Sequence, residues 1–144
     1  MRTLMPISMK IKVDEWAKMP SRAYADDAGL DLRSPKTVII PARRSEIIDT
    51  GVHVEIPRSC AGILMSKSGL NVIYGITSTG VIDVGYTGSI KVKLYNNSDS
   101  DYLVREGDKI SQLLIIPVVI PEIEVVGELK KTLRGDNGFG SSGK

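Results

Sequence analysis

A chain of 144 residues fits one domain with one modest core. Its 42% hydrophobic and 25% charged residues are ordinary for a globular protein, and a net charge of +2 is too small to argue for nucleic-acid binding, so no nucleic-acid partner is expected, while local capture of a small anion stays open. With one cysteine, Cys60, and one histidine, His53, the chain can form neither an internal disulfide nor a zinc site built on several histidines or cysteines.

The composition favours strands: there are 17 Ile and 13 Val, and amphipathic helical periodicity is nearly absent. The patterned sequence begins at Met9, an alternative start, and residues 1–8 read as a disordered leader. A first strand-like run covers residues 9–13 and a second covers 37–40, closed by Pro41. Residues 51–56 alternate Val52, Val54 and Ile56 against His53 and Glu55, and end at Pro57. His53 therefore reads as a solvent-facing strand residue. Residues 68–73 form at most one short helix, with Ser68 as its N-cap. Residues 89–95 alternate Ile90, Val92 and Leu94 against Lys91, Lys93 and Tyr95, and residues 96–101 are a polar turn. Residues 110–116 are apolar nearly throughout, as in a strand buried on both faces.

Many short strands between turns predict an all-β sandwich, jelly roll or barrel in one domain over residues 9–133, followed by a flexible arm over 134–144. The longest apolar run, residues 113–121, is too short to span a bilayer and contains Pro117 and Pro121. No signal-peptide core separates Arg2 from Lys10. A soluble, cytoplasmic protein is expected.

Five segments carry chemistry. In Ala28-Gly29-Leu30-Asp31-Leu32 a carboxylate stands between leucines. Ser66-Lys67-Ser68-Gly69-Leu70 joins a cation, a hydroxyl and a glycine amide; a helix starting there would turn its free amides toward an anion. Residues 80–88, Gly-Val-Ile-Asp-Val-Gly-Tyr-Thr-Gly, look like a hairpin with Asp83, partly buried, near its turn. Such a carboxylate can orient a water and take its proton, or simply bond its own backbone as turn aspartates do. Gly107-Asp108-Lys109-Ile110-Ser111-Gln112-Leu113 leads a turn into a core strand, where the Gln112 amide needs a partner. The tail from Arg134 to Gly143 combines four glycines able to form an anion nest, the forked cation of Arg134, the flat face of Phe139 and the hydroxyls of Ser141 and Ser142.

In their order and spacing, these five segments resemble the five motifs of the homotrimeric dUTPases, from about Lys10 to Gly143. The resemblance implies a jelly-roll-like fold with at most one short helix and a flexible Gly-rich arm. It implies Mg²⁺-dependent hydrolysis of dUTP to dUMP and pyrophosphate by water attack on the α-phosphorus, which limits uracil incorporation into DNA. By similarity, Asp83 is catalytic, orienting the water and touching the 3′-hydroxyl. Tyr86 packs under the deoxyribose, and the backbone around Gly80, Val81, Ile82 and Lys91 reads the uracil edge. Lys67, Ser68, Gly69 and Gln112 hold phosphate oxygens, and Asp31 meets the metal through a water. Phe139 stacks on uracil, while Arg134, Gly140, Ser141 and Ser142 grip the γ-phosphate. A homotrimer is implied, with each site drawing motifs one, two and four from one subunit, three from a neighbour and five from the third.

The chain departs from the family pattern in having Lys67 for a usual Arg, Gly85 and Thr87 for polar residues, Asn137 for a glycine and Ser142 for a threonine. Similar variants occur among viral and phage members. The related dCTP deaminases share the fold, but their resemblance is weaker because the Phe139 tail belongs to the dUTPase pattern. Some phage dUTPases bind repressor proteins; that use would leave the motifs in place, and the sequence names no such partner.

Overall fold

The computed structural model describes residues 7–143, so residues 1–6 of the expected leader lie outside the described residues. Short strands and one helix follow in order: β1 (Ile11–Val13), β2 (Leu30–Arg33), β3 (Val38–Ile40), β4 (Ser45–Asp49), β5 (Val52–Val54), β6 (Cys60–Met65), α1 (Ser68–Tyr74), β7 (Ile76–Thr77), β8 (Thr79–Ile82), β9 (Lys91–Asn96), β10 (Tyr102–Val104) and β11 (Lys109–Pro117). Every pairing is antiparallel. One sheet has the order β2-β11-β6-β8 and another β4-β9-β7; β1 pairs with β5 and β3 with β10. No described helix is long and apolar enough to cross a membrane.

The period-2 pattern places the core. In β9, Val92 and Leu94 are buried while Lys91, Lys93 and Tyr95 face out, as the alternation predicts. Leu32, Ile40, Ile48, Val52, Val104, Ile110 and Leu113 join them in one cluster. Each such side chain stabilises the fold by about 1.5–3 kcal/mol through removal from water. The turn after β9 is built on Asn96, whose buried amide donates to the carbonyls of Ile40 at 2.9 Å and Ser100 at 2.8 Å.

Four expectations need correction. Strand β11 is buried only in its first half; Ile116 and Pro117 are exposed, because β11 runs past the core beside β6. The helix N-cap is Lys67, not Ser68, and it makes no side-chain cap bond. Lys67 continues the extended backbone of β6, so the helical turn begins one residue later. The helix closes on Gly75, whose φ of 69° is a left-handed conformation suited to glycine. Residues 80–88 do not form a two-stranded hairpin. β8 pairs with β6, whereas β9 pairs with β4 and β7, so the chain turns a corner between sheets. Finally, His53 is half-buried, with both ring nitrogens engaged.

Candidate functional site

Strand β11 sits between β2 and β6, and its Gln112 lies opposite Asp31 on one side and Met65 on the other. That register brings three distant segments to one place. Asp31 is only 3% exposed. One of its carboxylate oxygens accepts from the Lys67 ammonium at 2.5 Å, and the other lies 3.1 Å from the Lys109 ammonium. Burial alone would push the Asp31 carboxyl up, but hydrogen bonds from Lys67 and Lys109, with their charges, hold it below the usual carboxylate range. The cluster therefore carries one excess positive charge, and each ammonium keeps donor capacity for an incoming anion.

Gln112 finds its partner in the Ser66 carbonyl, to which its amide donates at 3.0 Å. Beneath it runs a chain of hydroxyls: Ser66 Oγ accepts from the Ser78 N–H at 2.9 Å, Ser78 Oγ meets Ser111 Oγ at 2.8 Å, and Ser111 Oγ donates to the Met65 carbonyl at 3.0 Å. These bonds fix where β6 ends, and so where Lys67 points. At the start of α1 the amides of Ser68, Gly69 and Leu70 have no partner within the helix. A Cβ at Gly69 would meet nothing within 4 Å, so the space above it is open.

Gly29 belongs to this site for a reason of volume. A Cβ there would stand 2.1 Å from Gln112 Oε1 and 2.9 Å from Gln112 Cβ. We expect Gly29→Ala to leave the protein folded, at a cost of about 1–3 kcal/mol from overpacking, and to push Gln112 away from the Ser66 carbonyl. Thermal denaturation checks this; an unchanged melting temperature would show that Gln112 gives way without cost.

Asp83 follows the end of β8. It is exposed rather than partly buried, since only its neighbour Ile82 turns into the core. The turn is closed by the backbone, with the Tyr86 N–H donating to the Asp83 carbonyl at 3.1 Å. Tyr86 folds back over Gly88 and its hydroxyl donates to the Ser89 carbonyl at 2.9 Å. Strand β8 is an edge strand, so half of its backbone groups, around Gly80, Val81 and Ile82, face away from β6. Lys91 is exposed on β9, opposite Asp49, on a different sheet from β8.

Within one chain these parts do not converge. Asp83 lies one step past the Ile82–Gly62 pair, level with Ala61, and Lys67 lies six residues further along. At about 3.3 Å per residue that is roughly 20 Å, too far for one water to serve both. The tail, too, stands apart by its hydrogen bonding. Residues 119–143 are all exposed, and their hydrogen bonds stay within the segment, such as Arg134 Nε to the Asn137 carbonyl at 3.0 Å and the Ser141 N–H to the Gly138 carbonyl at 3.1 Å. Arg134, Asn137, Ser141 and Ser142 line one hollow of the tail itself, while Phe139 projects into solvent and Gly140 turns with a φ of 79°.

Sequence reasoning missed Lys109 and the Ser66 network. Lys109 lies three residues before Gln112, which in a regular strand puts it on the other face. A bulge between Lys109 and Ser111 adds one residue on β11 relative to β2 and returns Lys109 to the Gln112 side. No sequence signal marks that bulge; a cation beside the Gly107 turn was the only available hint.

Comparison with known proteins agrees with this assembly of segments. The family model described as dUTPase matches residues 15–143. The deoxyuridine 5′-triphosphate nucleotidohydrolase of Paramecium bursaria Chlorella virus 1 is 40% identical over 92% of this chain and 94% of its own length. That of Oryza sativa subsp. japonica is 40% identical over 96% of this chain and 81% of its own. Among solved structures, a mutant of the Staphylococcus bacteriophage 80alpha dUTPase with dUpNHpp superposes with a TM-score of 0.88 at 30% identity, covering 95% of this chain and 99% of that one. A mutant dUTPase from phage phi11 of S. aureus, described with a structural Mg(II) ion, gives a TM-score of 0.79 at 29% identity, covering 87% of this chain and 100% of that one. The β architecture is thus the expected jelly-roll-like one, and since the match takes in the Asp31–Lys67–Gln112 cluster, the Asp83 turn and the glycine-rich tail alike, the chain belongs to the dUTPase family.

Proposed function

We propose that this chain hydrolyses dUTP to dUMP and pyrophosphate, at sites shared among three copies of itself. The observation that carries the reading is the convergence of Asp31, Lys67, Ser68 and Gln112 at one end of the β2-β11-β6 sheet. The chemistry follows from the residues present. Lys67, the Ser68 and Gly69 amides and Gln112 hold phosphate oxygens, and Lys109, missed by sequence, adds a second cation through Asp31. Asp83 orients a water toward the α-phosphorus and takes its proton as the new P–O bond forms. The bond to the bridging α–β oxygen breaks, and pyrophosphate leaves with that electron pair. Tyr86 packs under the deoxyribose, and the open edge of β8 at Gly80, Val81 and Ile82 reads uracil. Lys91 stands on the neighbouring sheet and takes part only if a second copy brings substrate to it. From the tail, Phe139 stacks on the base, and Arg134, Gly140, Ser141 and Ser142 hold the γ-phosphate.

The residues fit Mg²⁺ arriving with the triphosphate. Among the described residues no group of three or more His, Cys, Asp or Glu can cage a metal. Both oxygens of the ionised Asp31 already accept from lysines, and their remaining lone pairs suit a metal-bound water. When bound, Mg²⁺ neutralises phosphate charge; a phage relative is described with a structural Mg(II) ion.

Two observations support the homotrimer. Asp83 and Lys67 are separated along β6, so a complete site needs a second copy. The segment after β11 also carries Val119, Ile120, Ile123, Val125, Leu129 and Leu133 fully out in solvent, and a run of that kind calls for a covering surface. The buried, unpaired Cys60 supports work in the cytoplasm, where thiols stay reduced.

The test is pyrophosphate release from dUTP, dTTP, dCTP and UTP, with and without Mg²⁺. We expect hydrolysis of dUTP well above the other three, and only with the metal. Comparable turnover of dCTP or UTP would end the assignment of Tyr86 and the β8 edge as selectors.

A further inference from the structure

The Asp83 turn leaves one sheet at Ile82 of β8 and enters the other at β9, and side chains hold its far half. The Tyr86 hydroxyl reaches Ser89, and Ser89 Oγ donates to the Asp49 carboxylate. Ser89 Oγ also accepts from the Gly51 N–H at 3.0 Å, and Ile90 beyond it is bonded to Thr50 and Val52. Thr87, between Tyr86 and these anchors, is tied by His53, from the middle of β5. Its Nδ1 lies 2.8 Å from the Thr87 carbonyl and its Nε2 lies 3.1 Å from an Asp14 carboxylate oxygen. Both partners only accept. A neutral imidazole has one donor, so it satisfies one contact and sets a lone pair against the other; only the doubly protonated ring satisfies both.

We propose that His53 is a positioning residue for the Tyr86 end of the turn, acting as an imidazolium clip between Asp14 and the Thr87 carbonyl. This rests on the proposed function, in which that turn forms part of the dUTP site.

The groups facing His53 fit the role. From the β1 side come Asp14, itself 3.8 Å from the Lys12 ammonium, and Lys12, paired opposite His53. From β4 comes the Asp49 carboxylate, with Lys91 of β9 beside it. Lys10 and Glu55 line the same hollow. The Thr87 carbonyl first, then Asp14, raise the histidine above its ordinary value, against desolvation and Lys12. The folded ring therefore binds its proton more tightly than the unfolded one. The clip is complete below the ordinary histidine value of about 6.5 and is lost as the pH rises through the higher folded value.

The effect falls on one end of the turn. Asp83 adjoins Ile82, which the β8–β6 ladder fixes, so its position survives loss of the clip. Tyr86 lies off that ladder: one bond from its N–H reaches Asp83 and one from its hydroxyl reaches Ser89, and it adjoins Thr87, which the clip holds. Releasing the clip should raise KM for dUTP and erode discrimination against UTP, with little change in kcat.

His53 is the only histidine, so its ring gives a single NMR titration. We expect a raised value in the wild type that falls in Asp14→Asn, with the Thr87 and Gly88 amides titrating alongside it. In kinetics, KM for dUTP should rise by about 3–10-fold across that titration, the size of one lost hydrogen bond. His53→Asn keeps a donor near the Nδ1 position but has no charge to lose. It should hold KM near the low-pH wild-type value and flatten the profile, apart from the titration of the substrate's own phosphates. His53→Ala should show the high-pH KM at every pH. The proposal is overturned if the ring value ignores Asp14→Asn, or if His53→Ala keeps the wild-type KM at low pH. If the wild type does not hydrolyse dUTP, it is the proposed function that has failed. The coupled titration of His53 with Thr87 and Gly88 then decides the clip alone: joint titration supports it and independent titration overturns it.

Discussion

Asp83→Asn should lower dUTP turnover by roughly 10²–10⁴-fold, the usual contribution of a positioned general base, while fold and substrate affinity stay near wild type. The structure separates these effects. Asp83 is exposed and supports no part of the core, and its turn is closed by the backbone bond from Tyr86. Asparagine matches the carboxylate in shape and is equally at home in turns. The preceding Ile82 stays buried and the β8–β6 ladder is untouched. What is lost is the ability to take a proton from water. Single-turnover kinetics on the folded variant, with binding of a non-hydrolysable analogue measured in parallel, provides the check. Turnover near wild type would move the proton to another group.

Deleting residues 134–144 should leave the melting temperature nearly unchanged and reduce activity by about 10²-fold or more, as expected when a group that closes and aligns a site is removed. Residues 134–143 are fully exposed and bond only within the tail region, so their loss removes no core contact. A large fall in melting temperature would mark the segment as structural. The sharper experiment mixes this truncated protein with Asp83→Asn and lets subunits exchange. On the proposed function, neither parent has a complete site. Where Asp83 and the tail come from different subunits, random exchange of equal amounts gives an intact pair at about one quarter of sites, each contribution being right half the time. Activity should return to about that fraction. If mass measurement shows mixed trimers and nothing returns, Asp83 and the tail of one site come from the same subunit. A fully active monomer by light scattering would end the shared-site reading altogether.

Where the physics was local, the chain could be read directly. The alternation of residues 90–95 placed Val92 and Leu94 inside and the two lysines outside, because strand side chains alternate whatever the strand pairs with. The polar turn after β9 and the exposed glycine-rich tail followed from composition in the same way. The β6 run, Cys60–Met65, escaped notice because a short apolar stretch containing a glycine has no alternation to betray it. The five segments stood out locally, as charged or amide groups set among glycines and apolar residues.

Register, partners and geometry were decided elsewhere. That Asp31 sits between Lys67 and Lys109 depends on β11 lying between β2 and β6, and on a bulge that reverses which face Lys109 occupies. The apparent hairpin became a corner because β8 found β6 and β9 found β4, a choice made by core packing and not by the turn residues. His53 looked like an ordinary outward strand residue until Asp14 and Thr87, 39 and 34 positions away, closed on its two nitrogens. In each case the deciding contact joins residues far apart in the chain. Local propensity carries no information about such a contact, because its energy exists only once the sheets have assembled around the common core.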